Sequence, residues 1–388
     1  MIDLDETARE ALETLREKGL LRRIRQTEAL EGMLVRRAGR TLVNFSSNDY
    51  LGLARHPALI AAAGEAATAH GAGAGASRLV TGDHPLYARL ERRIAEVKGT
   101  EDAVVFGSGY LANVGTIPVL VGRGDLILAD KFAHACILDG AQLSGADMLR
   151  FRHNDMAHLE EHLAAHRGRH RRCLIVTDGV FSMDGDLAPL PDILALARQY
   201  DAWVMTDDAH ALGVVGQGEN WGRGSGFAFD PVARADVQMG TLSKAVGAYG
   251  GYVAGSATLC DWLRNRARSL VYSTGLPPGV VAAASAALDI VTLDAGRVAR
   301  PLMLARRLAG RLGLAEPASA ILPLIVGDAE AAVAMARRLE DEGFLVAAIR
   351  PPTVPQGTAR LRITLSAAHE EGQVDALADA LTAMSLAR

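Results

Sequence analysis

Short apolar runs alternate along this chain with segments of helical period, and no other feature constrains its fold as much. DAVVF (102–106), DLILA (125–129), DMLRF (147–151), CLIVT (173–177), AWVMT (202–206) and VQMG (237–240) read as strands, with GGYVAG (250–255) close behind. Most are apolar at consecutive positions and so require cover on both faces. Strands of that kind separated by helices predict an α/β fold with a doubly wound, mainly parallel sheet. After Leu276-Pro277-Pro278 a long Ala-rich helix begins, and ILPLIV, FLVAAI and RLRITL then read as strands of a smaller α+β lobe. A chain of 388 residues exceeds what one core usually supports. The expected division is an N-terminal helical arm and short strand (1–45), a large domain (46–282) and a small C-terminal domain (283–388).

The polar residues that end these strands carry the chemistry. The run at 202–206 stops at Asp207-Asp208-Ala209-His210, and the run at 237–240 stops at Thr241-Leu242-Ser243-Lys244. Open α/β sheets bind ligands at the carboxyl ends of their strands. An amine placed there among small residues can form a Schiff base with an aldehyde cofactor. An aspartate aimed at a ring nitrogen keeps that nitrogen protonated and makes the ring an electron sink. This order and separation point to a pyridoxal-phosphate enzyme with Lys244 as the Schiff-base lysine and Asp207 as the ring-nitrogen partner. Each fragment alone has a plainer reading: Asp-Asp before a Gly-rich loop as a cap, Lys after Thr-x-Ser as a surface residue or phosphate binder.

Other strand ends add candidates. Phe106-Gly107-Ser108-Gly109-Tyr110 lies between a strand and a helix start near Leu111, where backbone N–H groups and the helix dipole favour an anion. A cofactor phosphate fits there, and so does an ordinary βα turn. His134 is placed to stack on a flat ring or to bond to backbone. Ser182 and His210 are placed to reach a ring hydroxyl, or to serve as a turn residue and a polar loop residue. Glycines 71, 73 and 75 have no strand feeding them and no Gly-Lys-Ser/Thr following, which excludes a P-loop. In IRPPTVPQGTARLRIT (349–364), Arg360 and Arg362 share one face of a strand, either solvated or facing the cleft between the lobes, where an arginine pairs bidentately with a carboxylate. Residues 4 to 30 read as an amphipathic helix, with Leu4, Ala8, Ala11, Leu12 and Leu15 at helical spacing.

Composition removes several function classes. A formal charge of −4 and a pI of about 6.3 give no nucleic-acid signature. Arginines do cluster, at Arg22-Arg23-Ile24-Arg25 and from Arg167 to Arg172, the latter read as a solvated loop. Cys136, Cys173 and Cys260 are too scattered for a disulfide framework or a zinc site and fit a reducing cytoplasm. The acidic N-terminus has no apolar signal core, and no apolar run is long enough for a bilayer, so no membrane association is expected.

With these residues in view, the chain resembles the α-oxoamine synthases of pyridoxal-phosphate fold type I over nearly its whole length. The likeness includes NFSSNDYLGL, GASRLVTGDHPLYARLE, FGSGYLAN, DKFAHACILDG, TDGVFSMDGDLAPL, TDDAHALGVVG, GTLSKAVGAYGGYVAG and RPPTVPQGTARLRITLSAAHE. The last stretch is most similar to the branch that condenses L-alanine with pimeloyl-CoA or a pimeloyl-acyl-carrier protein to 8-amino-7-oxononanoate, in biotin biosynthesis. Branches that use glycine with acetyl-CoA or succinyl-CoA, and aminotransferases of the same fold, are the alternatives. So is a non-catalytic α/β protein that binds a phosphorylated ligand. The resemblance implies that Lys244 carries pyridoxal 5'-phosphate and Asp207 pairs with its ring nitrogen. It puts His210 and Ser182 near the ring hydroxyl and His134 against the ring. Gly109, Tyr110 and Thr241 would hold the phosphate, joined by Ser273 and Thr274 reaching the partner subunit's phosphate across a homodimer interface. Asn48 and Arg362 match positions near the amino-acid carboxylate, and Arg22 and Thr353 match acyl-substrate contacts. Ala211 stands where many relatives have Gly or Ser.

Overall fold

The computed structural model describes residues 2–386. The large lobe is organised by seven strands, named here β1 (Asp102–Phe106), β2 (Leu126–Asp130), β3 (Asp147–Phe151), β4 (Cys173–Asp178), β5 (Trp203–Asp207), β6 (Val237–Thr241) and β7 (Gly251–Gly255). Their order across the sheet is β1-β7-β6-β5-β4-β2-β3. Neighbours from β6 through β3 pair in parallel, and β7 alone runs against the rest. The reversal has a local cause. Only residues 242–250 join β6 to β7, and a parallel crossover needs a dozen or more. The chain therefore turns straight back, and that return loop carries Lys244.

Side chains alternate across the sheet, so each strand feeds two cores. Ala103, Val105, Tyr252 and Ala254 pack with the helices Pro57–His70, Pro85–Lys98 and Pro278–Leu293. Val104, Phe106, Val176, Met239 and Val253 pack the other way, under Gly109–Leu120, Ala135–Ser144 and Ala257–Arg266. The seven strands read from the sequence for this sheet are all present, shifted by at most a residue or two, whereas FLVAAI in the smaller lobe divides into Phe344–Leu345 and Ala347–Ile349, which join different sheets.

The smaller lobe joins both ends of the chain. Ala359–Thr364 lies between Ile321–Gly327 and Ala347–Ile349 in an antiparallel sheet. The hairpin Leu34–Arg37 with Arg40–Asn44, turned by Ala38-Gly39 at positive φ, pairs in parallel with Phe344–Leu345. The boundary expected after residue 282 falls inside helix Pro278–Leu293, which packs on the large lobe through Val281, Ala284, Leu288 and Val291. The chain bends by 78° only after Leu293, where Asp294 caps the next helix by accepting from the Arg297 N–H at 2.9 Å. The helix expected over 4–30 ends at Glu17, because Gly19 takes φ +63° and turns the chain. Arg167, in the cluster read as a solvated loop, instead donates to the carbonyls of Tyr200, Asp201 and His170. Cys136, Cys173 and Cys260 are free and buried. Among the described residues no single helix is long and apolar enough to cross a membrane.

Two ionic contacts, one fully buried and one half-buried, hold the strand ends. Lys98, fully buried, places Nζ 2.6 Å from Asp208 Oδ2 and 2.7 Å from the Arg223 carbonyl, while Ser225 donates to the other Asp208 oxygen. Gly224 makes room: a Cβ there would lie 2.2 Å from Asp208 Oδ2, and its φ of +121° excludes most side chains. The second contact is His153. It bonds Asp130 at the end of β2 (3.0 Å) and Asp186 in the loop after β4 (2.9 Å), with its ring against Phe132 and Phe181. Burial disfavours its charge, but the two carboxylates outweigh it and raise the imidazole to about 10.

Removing Lys98 strands a buried carboxylate, so Lys98→Ala is expected to cost about 3–5 kcal/mol. A urea midpoint equal to wild type would show the pair to be dispensable. For His153 the folded-state value lies above the ordinary imidazole value, so its contribution is complete below about pH 6.5 and lost as pH rises through about 10. Thermal melts from pH 7 to 10.5 should show wild type losing an advantage that His153→Gln lacks throughout; parallel curves would sink this linkage.

Candidate active site

The carboxyl ends of β4, β5 and β6, the start of helix Gly109–Leu120 and the return loop enclose a cleft of about 220 Å³. Lys244 enters it from the loop, whose path depends on Gly247: φ is +66°, and a Cβ would lie 2.5 Å from the Ala54 nitrogen. Lys244 Nζ is 2.9 Å from His210 Nε2, and His210 Nδ1 is 2.6 Å from the Tyr50 hydroxyl. Tyr50 in turn lies 3.2 Å from Asn48 Oδ1, and Arg362 donates to both, at 3.3 and 3.2 Å. Arg362 Nε donates to the Ser182 carbonyl at 2.5 Å. Four of its five N–H groups are thereby used, which leaves one for a carboxylate.

Asp207 ends β5 in the cleft and accepts from the Ala209 N–H (2.9 Å) and from Asn113 Nδ2 (2.8 Å). Its register partner on β4 is Asp178, a second acid lining the cleft. Burial, and then the neighbouring Asp207 charge, raise Asp178 well above the carboxylate range. Burial lowers the Lys244 amine, although Asp207 and Asp178 pull it the other way. Burial also holds His210 well below the ordinary imidazole value, with the positive charges of Lys244 and Arg362 acting in the same sense. The cleft therefore holds an amine and an imidazole whose charged forms burial disfavours, and one carboxylate fixed by two donors.

At the other end of the cleft, the Ser108 side chain caps helix Gly109–Leu120 by accepting from the Leu111 N–H at 3.1 Å. Gly109 sits against Thr241: a Cβ would lie 3.3 Å from the Thr241 Cβ. The Thr241 hydroxyl donates to the Gly250 carbonyl (2.8 Å) and lies 2.7 Å from the Ser243 hydroxyl. Helix N–H groups, two hydroxyls and a close-packed glycine suit an anion such as a phosphate. His134 lines the cleft as the N-cap of helix Ala135–Ser144, and Tyr110 bonds Asp139 at 2.8 Å.

Lys244, Asp207, His134, His210, Gly109, Tyr110 and Thr241 thus share one cleft. Asn48 and Arg362 meet beside it. Ser182 does not line it; its carbonyl receives Arg362. Ser273 and Thr274 lie in a separate hollow with Arg78 and Tyr87. Arg22 and Thr353 meet elsewhere, in a groove of about 580 Å³ between the N-terminal helix and the 350–353 turn. Arg360 is buried and pairs with Asp184. Reading the sequence missed Asp178, Tyr50, Asn113, Cys136 and Ser243. Asp178 directly follows CLIVT, so the strand-end rule that selected Asp207 applies to it equally. The others carry no signal outside the fold.

The aminotransferase class I and II family model matches residues 40–381. The 8-amino-7-oxononanoate synthase of Maricaulis maris (strain MCS10) is 57% identical over 378 residues, covering 97% of this chain and 95% of that protein. A serine palmitoyltransferase from S. paucimobilis, solved with a bound PLP–myriocin aldimine, superposes with a TM-score of 0.90 at 30% identity, over 100% of this chain and 99% of that one. The 8-amino-7-oxononanoate synthase from Francisella tularensis gives 0.74 at 25% identity, over 89% and 98%. With this cleft and these relatives, the chain belongs to the aminotransferase class I and II family and, within it, to the 8-amino-7-oxononanoate synthases, pyridoxal-phosphate-dependent acyltransferases of fold type I.

Proposed function

We propose that the enzyme condenses L-alanine with pimeloyl-CoA or pimeloyl-acyl-carrier protein, releasing carbon dioxide and the free thiol carrier and giving 8-amino-7-oxononanoate for biotin synthesis. The observation that carries this reading is the buried Lys244 amine, with Asp207 in the same cleft and the Asn48–Arg362 pair beside it. Bound there, pyridoxal phosphate supplies an electron sink for the pair left on the amino acid's α-carbon. Lys244 Nζ, whose charged form burial disfavours, would hold the cofactor at rest, then take the α-proton and later return one. Asp207, immobilised by Asn113 and Ala209, keeps the ring nitrogen protonated. His134 would lie against the ring, and His210 would serve its hydroxyl. The phosphate is held by Gly109, Tyr110 and Thr241. The remaining N–H group of Arg362, with Asn48, would orient the amino-acid carboxylate.

Leu12, Leu15, Leu20 and Ile349 line the groove that holds Arg22 and Thr353. These apolar walls suit a methylene chain, and Arg22 and Arg350 suit a terminal carboxylate. We also propose a homodimer in which Ser273 and Thr274 complete the second subunit's phosphate site. A hollow of about 1070 Å³ lined by Val114, Pro118, Trp262 and Tyr272 supports this, since Tyr272 is 72% and neighbouring Leu143 68% exposed. Three buried free thiols support a reducing, cytoplasmic setting.

The substrate reading predicts thiol release from pimeloyl-CoA with L-alanine and little from acetyl-CoA or succinyl-CoA with glycine. Release with glycine instead would keep the family and change the substrates. Lys244→Ala should lower turnover by at least about 10²–10⁴-fold, and a smaller loss would remove its proton-transfer role. Light scattering on the cofactor-loaded enzyme should read twice the chain's 41.0 kDa. A monomer at micromolar concentration would sink the shared site.

A further inference from the structure

A set of hydrogen bonds behind His134 has a determined direction. Asp207 Oδ1 accepts from the Ala209 N–H, and a carboxylate has no proton to donate, so the group 2.8 Å from its Oδ2 is the NH2 end of Asn113. The same Nδ2 lies 3.0 Å from Cys136 Sγ, and an amide nitrogen has two N–H groups, one for each partner. Turning the amide over would set its oxygen against the carboxylate. The observed orientation instead leaves Asn113 Oδ1 buried without a partner, a cost accepted to keep both donors in place.

The sulfur therefore accepts a hydrogen bond from Asn113, and its own S–H is free for its remaining neighbour, His134 Nδ1, at 2.8 Å. The Cys136 backbone N–H also points at Nδ1, from 3.3 Å. An Nδ1 that faces two donors carries no proton, so a neutral ring must carry its proton on Nε2. Burial and the Asp207 charge push the thiol up to about 12, which keeps the S–H intact. Burial lowers His134, which keeps its ring neutral against the pull of Asp207.

We propose that Asn113 and Cys136 are positioning residues that lock His134 as the Nε2–H tautomer, so that His134 presents a hydrogen-bond donor to the cleft rather than a base. The acceptor is an oxygen of the bound substrate, a carboxylate or a thioester carbonyl. Only that last clause rests on the proposed reaction. The tautomer itself follows from Asp207, Asn113 and Cys136 alone.

The test is long-range ¹H–¹⁵N correlation on cofactor-loaded enzyme with ¹⁵N-labelled histidine, His134 being assigned by its absence in His134→Gln. The expected pattern is a bare Nδ1 and a protonated Nε2. Cys136→Ala, which keeps only the long backbone donor, should shift part of the population to Nδ1–H and lower kcat by about 2–10-fold, the worth of one hydrogen bond. Cys136→Ser, which retains an O–H donor, should restore the wild-type pattern and most of that loss. A protonated Nδ1 in wild type, or an unchanged tautomer in Cys136→Ala, would overturn the proposal. Failure to release thiol from pimeloyl-CoA would overturn the substrate reading and leave the nitrogen spectra as they are.

Discussion

One desolvated carboxylate, Asp207, determines how its surroundings are arranged. It sits at the end of a strand buried on both faces, where each of its oxygens accepts from a fixed donor. Its presence turns the Asn113 amide nitrogen inward and helps to raise both the Asp178 carboxyl and the Cys136 thiol. It also opposes the loss of charge that burial imposes on Lys244 and His134. A single charge in a water-poor cleft sorts its neighbours into donors and acceptors because the low local dielectric makes every mismatch costly.

That carboxylate is only as well placed as the backbone beneath it. The next residue, Asp208, points away from the cleft into the buried contact with Lys98, so successive aspartates brace the strand end from opposite sides. The antiparallel β7 has a comparable role for Lys244. Its short return from β6 keeps the lysine loop tight, and Gly240 leaves room for Tyr252, whose hydroxyl would lie 2.4 Å from a Cβ at that position. Catalytic groups and buried structural groups alternate along the same few residues, and substitutions here act on stability and chemistry together.

The strands were readable because two-sided burial leaves a local mark, consecutive Val, Ile and Leu bounded by polar ends. The same rule brought out Asp207, His210, His134 and Lys244, since a parallel sheet gathers its strand ends at one edge. It failed where contact depends on distant segments. Tyr50 meets His210 and Arg362 across 160 and 312 residues of chain, and no periodicity encodes such a meeting. Ser182, in a strand-end loop, looked equivalent to its neighbours, yet the loop presents its carbonyl to Arg362. The N-terminal helix was read too long because its polar continuation keeps a helical rhythm past Gly19, where the backbone turns.

The sequence by itself determined the layered α/β class, the strand boundaries and the identity of the amine and acid at the strand ends. Burial pattern and residue chemistry are local properties, so they survive without coordinates. Only the tertiary structure decided the direction of each hydrogen bond and the pairing of Asn48 with Arg362. It also decided that Arg22, Thr353, Ser273 and Thr274 lie outside that cleft. Those outcomes depend on where segments hundreds of residues apart come to rest, and packing of the whole core settles that.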